Sequence, residues 1–120
     1  DKIIKEWEKG KRETKIVKEC LDYLQYLENL GIVYALRTAS GMIVVKEKDK
    51  PNRIFKTGKP GAPDIVFCWK GKFCGLEVKR TDGIQSPAQK ETERKIQKAK
   101  GLYFLIDGVS QLEWLNENRG

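Results

Sequence analysis

Apolar residues between positions 13 and 30 recur at helical spacing. Ile16, Val17, Cys20, Leu24 and Leu27 fall on one stripe, and Gly31 supplies a stop. This predicts a first helix over 13–30, with Ile3, Ile4 and Trp7 forming an earlier turn or two before Gly10. The periodicity then shortens. "IVYALRT" at 32–38 and "GMIVV" at 41–45 read as β-strands, with Ala39, Ser40 and Gly41 as a turn between them. The charged stretch "KEKDKPNRIFKTGKPGAP" follows as a hairpin or loop. "DIVFCW" and "KFCGLEVK" then flank Lys70-Gly71, the tight turn of an antiparallel hairpin. Ser86-Pro87-Ala88-Gln89 is a helix start, with Ser at the cap, Pro at the first helical position and Gln three residues after the cap. Gly101 ends that helix, "LYFLI" at 102–106 is an apolar strand, and Ser110-Gln111-Leu112-Glu113 has the form of a second capping box before a short C-terminal helix. The order is α-β-β-β-β-α-β-α, an α/β fold with a mixed central sheet flanked by helices. No repeat, low-complexity tract or linker interrupts it, so residues 1–120 read as a single domain.

Charge narrows the partners. Lys and Arg number 24 against 17 Asp and Glu with no His, a formal charge of +7, and the pI is about 9.3. A surplus of this sign favours a polyanion such as nucleic acid. Cys20, Cys68 and Cys74 lie in apolar runs without a C-x-x-C pair, so they read as small core residues in a reducing compartment rather than as a zinc site. No apolar stretch reaches the ~18 residues of a membrane span, and the N-terminus lacks a signal-peptide core. The expectation is a soluble, cytoplasmic protein with no membrane partner.

Within the apolar hairpin, three charged residues stand out. Alternation along "KFCGLEVK" puts Phe73, Gly75, Glu77 and Lys79 on one face and Cys74, Leu76 and Val78 on the other. With Lys70 and Gly71 at the centre of the turn, Trp69 opposes Lys72, Val66 opposes Gly75, and Asp64 opposes Glu77, at roughly 5 Å between Cβ atoms. Like charges so placed destabilise a bare sheet unless a cation, a Lys or a pKa shift relieves them. Hard carboxylate ligands at this separation suit Mg²⁺ or Mn²⁺. Lys79 could then hold or deprotonate an attacking water and offset charge on a phosphorane-like transition state. The plainer alternative is a surface salt bridge from Lys79 to Glu77 or Asp64.

Helix phase selects a further acid. Counting about 100° per residue from Glu13, the apolar stripe spans about −60° to +40°, which puts Glu13 within it and Glu19 at about −120°. Glu13 therefore faces the sheet, although a first-turn acid favoured by the helix dipole is the competing explanation. "GKPGAPD" is a Gly/Pro-rich approach to Asp64 that leaves room for a bulky substrate, or else an ordinary loop. Gln89 either touches the site or simply caps Ser86. Arg37, Lys56, Lys59, Lys72, Arg80 and Lys90 form a candidate phosphate-contacting rim, whereas "ERKIQKAK" reads as a solvated helix face.

Taken in order, Glu13 with Ile16, "RTASG", "GKPGAPDIVF", "GLEVKR", "SPAQ" and "GLYFLI" resemble the VRR-Nuc (virus-type replication-repair nuclease) group of the PD-(D/E)XK nuclease superfamily. The resemblance implies a restriction-endonuclease-like αβββαβ core and Mg²⁺- or Mn²⁺-dependent hydrolysis of DNA phosphodiesters. It implies metal ligation by Asp64, Glu77 and the Val78 carbonyl, with Lys79 as the catalytic lysine, Glu13 as the helix acid acting through water, and Gln89 as the motif glutamine. In contrast to the larger relatives the resemblance brings in, the expectation is a core without an accessory DNA-binding or helicase-like domain. Small stand-alone members resemble Holliday-junction resolvases, which extends the expectation to a homodimer acting on branched, flap or junction DNA, in the host cytoplasm if the chain is phage-encoded. The rival expectations are a non-catalytic DNA-binding module or nuclease subunit with the same fold, and an interaction domain whose charge is incidental.

Overall fold

The computed structural model describes residues 2–38, 41–80 and 82–120, and side chains at 12–38, 44–54, 58–80 and 82–120. Helix α1 (Lys2–Asn29) begins well before residue 13 and runs through Gly10 unbroken. Its predicted stripe is buried at Val17, Cys20, Leu24 and Leu27. At its C-terminus Gly31 takes φ +77, while the Ile32 and Gly31 amides donate to the carbonyls of Leu27 and Glu28. That left-handed exit satisfies the last carbonyls and suits glycine.

Four strands form the central sheet: β1 (Val33–Arg37), β4 (Ile65–Trp69), β5 (Lys72–Val78) and β6 (Leu102–Ile106), in the order β1-β4-β5-β6. The first two pairings are antiparallel, whereas β6 runs parallel to β5, and helix α2 (Pro87–Lys98) makes the crossover that a parallel neighbour requires. The sheet is mixed and flanked by helices, as the periodicity predicts. β2 (Gly41–Val45) and β3 (Arg53–Thr57) form a separate two-stranded sheet. The turn expected from Ala39 to Gly41 therefore joins strands of different sheets, and Ala39 and Ser40 lie outside the described residues. β1 takes β4 as its partner because Ile65, Phe67 and Trp69 supply the apolar face that Val33 and Ala35 need. In the β2–β3 connection Glu47 pairs with Lys50 and Arg53 at 3.2 and 3.0 Å.

Lys70 (φ 52) and Gly71 (φ 76) both sit at positive φ, the requirement of a type I′ hairpin turn whose twist matches its strands. The register follows the sequence expectation, with Trp69 opposite Lys72, Val66 opposite Gly75 and Ile65 opposite Leu76. One face of the sheet buries Ile65, Phe67, Trp69, Cys74, Leu76 and Val78 with the α1 stripe. Leu112 and Leu115 close this core, and Trp69 Nε1 donates to the Leu115 carbonyl at 3.3 Å. The opposite face meets α2 at Gly75, where a Cβ would lie 3.0 Å from Ile96 Cδ1 and 2.9 Å from Pro63 Cγ.

Two local expectations are corrected. Gln111, rather than Glu113, makes the C-terminal cap: its Oε1 accepts from the Asp107 and Gly108 amides at 2.8 and 3.1 Å. A 3₁₀ turn (Val109–Leu112) therefore precedes helix α3 (Glu113–Glu117), because one Gln side chain reaches both free amides. Cys20 and Cys74 are core residues, but Cys68 is exposed, since it lies on the sheet face away from α1. Burial pushes the Cys20 and Cys74 thiols up to about 11, which keeps them protonated and unreactive. Among the described residues no helix is long and apolar enough to cross a membrane.

Gly61 fixes how α2 meets the sheet. It adopts φ +75, and a Cβ there would stand 2.4 Å from the Ala88 carbonyl oxygen in the first turn of α2. Gly61→Ala is expected to lower stability by about 2 kcal/mol, through left-handed strain and overpacking, which urea unfolding would measure.

Candidate active site

The β4–β5 register carries Asp64 to a position opposite Glu77, one residue beyond the paired Ile65 and Leu76. Glu77 is only 3% exposed, a buried carboxylate on the sheet face opposite the α1 core. Asp64 is half-buried, and its Oδ2 accepts from the Val78 amide at 2.9 Å, which ties the carboxylate to the end of β5. The Asp64 carbonyl accepts from the Thr38 amide at 3.1 Å, and Thr38 Oγ1 donates to the Pro63 carbonyl. The strand end is thus strapped from β1.

From the other side comes Gln89. Ser86 Oγ accepts from the Gln89 amide at 3.2 Å and the Ser86 amide donates to Gln89 Oε1 at 2.9 Å, a reciprocal capping box. The same side chain donates through Nε2 to Glu77 Oε1 at 2.7 Å. The two readings of Gln89 are both realised, because its amide has one acceptor for the cap and one donor for the site. Among the described residues Glu77 Oε2 is buried without a hydrogen-bond partner.

These surroundings set the charge state. Burial, and then the Asp64 charge, push Glu77 up to about 7 from an ordinary 4.5, with Lys79 and the Asp64 amide pulling the other way and Glu13 adding to the rise. Burial also raises Asp64, opposed by the Val78 amide, Lys79 and Arg37 and assisted by Glu13. Glu13 is half-buried and Glu19 exposed, as helix phase requires. Its field reaches both carboxylates, yet among the described residues no three His, Cys, Asp or Glu side chains converge closely enough to hold a metal ion. Glu13 is therefore a through-space neighbour rather than a direct third ligand. Lys79 is half-buried and acts on both acids through its charge; among the described residues it forms an ion pair with neither. The surface salt bridge weighed against the site is not formed among the described residues, and Glu77, one of its two candidate acids, is buried.

A divalent cation fits what is present. The donors are hard oxygens on neighbouring carboxyl groups, and among the described residues one buried oxygen, Glu77 Oε2, lacks a partner. Asp64 and Glu77 are the residues that would hold it, with the Val78 carbonyl at the same strand end.

The expected rim is only partly assembled here. Arg37 ends β1 and its charge reaches Asp64. Lys59 lies in the approach loop, Lys90 in the first turn of α2, and Arg80 just past β5, 3.9 Å from Asp82. Lys72 is corrected: it opens β5 beside the turn, five residues from Glu77 and so roughly 16 Å along the strand. The Lys56 side chain lies outside the described residues. Sequence reasoning missed Thr38 as a strap, and Tyr103, whose hydroxyl accepts from Gln85 Nε2 at 3.3 Å and which burial pushes up to about 12. Strand alternation could have found Tyr103, because its partner Gly75 is on the Glu77 face. It also missed Arg12, Lys15 and Lys18, which line a groove with Arg37. Compared with protein-family models and with curated proteins, the chain matches none.

Between pH 4.5 and about 7 the unfolded chain loses a Glu77 proton that the folded chain keeps. Stability should therefore fall as pH rises through that window, by on the order of 3 kcal/mol, when no divalent ion is present. Thermal midpoints measured across pH should show this slope, lose it in Glu77→Gln, and recover above the window on addition of Mg²⁺ or Mn²⁺. Gln89→Ala should cost about 2 kcal/mol, since it removes a cap and leaves Glu77 Oε1 unpaired. Gln89→Glu should keep part of the cap yet raise the Glu77 pKa further, a shift that carboxyl NMR titration would read.

Proposed function

We propose that the chain is a Mg²⁺- or Mn²⁺-dependent deoxyribonuclease with a restriction-endonuclease-like core of the VRR-Nuc kind. The observation that carries this reading is the buried Glu77 carboxylate opposite Asp64, with an unpartnered oxygen and with Lys79 next on the same face. Buried like charges at strand ends are costly in a purely structural role and useful in an ion-binding one. The β1-β4-β5 antiparallel set, the α2 crossover and the parallel β6 are compatible with the αβββαβ order.

Asp64 and Glu77 would hold the ion, which would supply Lewis-acid charge at the scissile phosphate. Lys79 orients the attacking water and offsets negative charge as the water oxygen bonds to phosphorus and one ester bond breaks, the water giving up a proton to solvent and the departing oxygen taking one up. Gln89 holds Glu77 through Oε1, and among the described residues Oε2 stays without a hydrogen-bond partner. Glu13 strengthens the negative field that retains the cation. Arg37, Lys59, Arg80 and Lys90 contact flanking phosphates.

A non-catalytic DNA-binding module is the second reading, favoured by the lack of a third converging acid among the described residues. Calorimetry separates the two: saturable Mg²⁺ or Mn²⁺ binding supports the nuclease, and DNA binding that responds to salt alone supports the module. Lys79→Ala is expected to reduce cleavage at least ~100-fold with the circular dichroism spectrum unchanged. A panel of single-stranded, duplex, flap and four-way DNA with each metal would measure it, and wild-type activity in that variant would exclude the assignment.

A further inference from the structure

We propose that the flank of α2 and the open sheet face beside it bind an unpaired nucleic-acid strand. This rests on the nuclease reading for its partner class and adds the form of substrate. Tyr34, Cys68 and Phe73 are direct neighbours across β1, β4 and β5, so they form one row on the face away from α1. α2 covers that face at Gly75 and leaves the row open, with Tyr34 60% and Phe73 53% exposed. Phe73, Lys95 and Ile96 also line two adjoining grooves along α2, of about 470 and 550 Å³. The first reaches Pro60 and Pro63, and Pro63 directly precedes Asp64. The second runs to Lys72 and Lys100 at the far end of the hairpin.

The groove has an apolar floor and a cationic rim. Its floor is Phe73, Ile96 and the two prolines; its rim is Lys59, Lys72, Lys95 and Lys100. Among the described lining residues the acid is Glu91, and Arg94 holds it. Aromatic faces take unstacked bases and lysines take the phosphates between them, the combination by which single strands are bound without regard to sequence. A duplex keeps its base faces stacked internally, so it can use the rim but not the floor. A second copy of this chain on the same face would set these lysines against one another, because a two-fold interface brings a patch onto itself. Phe73 and Glu77 lie four residues apart on β5, roughly 13 Å, with α2 covering Gly75 between them, so a strand on Phe73 approaches the acids along the groove past Pro60 and Pro63, beside Asp64.

Fluorescence anisotropy with a labelled single-stranded oligodeoxynucleotide and with a blunt duplex, in chelator, tests the proposal without cleavage. Phe73→Ala should weaken single-strand binding on the order of tenfold and duplex binding far less, and Lys95→Glu should flatten the salt dependence for the single strand. Equal loss on both probes, or no loss on either, overturns the proposal, as does light scattering in which Phe73→Ala converts a dimer to a monomer. The two readings fail separately. Single-strand binding without cleavage in either metal removes the nuclease alone, whereas wild-type cleavage with undiminished single-strand affinity in Phe73→Ala removes the groove alone.

Discussion

The buried Glu77 carboxylate is the constraint around which the rest is arranged. An ionised group 3% exposed in a small domain must be compensated by hydrogen bonds, protonation or a counter-ion. The register of one hairpin decides which of these it meets. With Lys70 and Gly71 both at positive φ, Glu77 faces Asp64 on the α2 side of the sheet. A slip of one residue would drive it into the Leu76 and Val78 face, where only apolar side chains wait. The turn therefore governs electrostatics at the opposite end of the hairpin.

The elements around that pair act as a clamp with an opening. Gly61 lets the approach loop touch the first turn of α2, which seats Gln89 where one amide group both closes the capping box and grips Glu77 Oε1. Thr38 holds Pro63 and Asp64 from β1, and the Val78 amide holds the Asp64 side chain. What is left is an unpartnered Oε2 and a half-buried Lys79. Pre-organised acids with a residual demand for positive charge are what a metal-assisted phosphodiesterase would require, and under the proposed reading the cationic groove beside them would admit a polyanion.

Local chemistry was legible wherever a residue's behaviour depended on near neighbours in the chain. The α1 stripe and the inward face of Glu13 follow from helical phase, the Asp64 and Glu77 pairing from a two-residue turn, and the Ser86 cap from a four-residue signature. Long-range competition was not legible. β1 and β2 both read as strands, but only the apolar face of β4 could decide that β1 joins the central sheet while β2 pairs with β3. Cys68 resembles Cys74 in the sequence; its exposure reflects the limited reach of α2 across the sheet. Lys72 sits in a basic stretch near Glu77, and strand length alone puts it at the far end.

The sequence by itself determined most of the elements, the hairpin register and the acids that share a face, because turn geometry and side-chain periodicity are set within a few residues. Only the tertiary structure decided how deeply Glu77 is buried, that Gln89 serves both cap and site, and that one side of the sheet stays open between α2 and β1. Burial and partnership depend on which distant surfaces arrive, and each is settled by the competition among apolar faces for cover rather than by any segment's own preference.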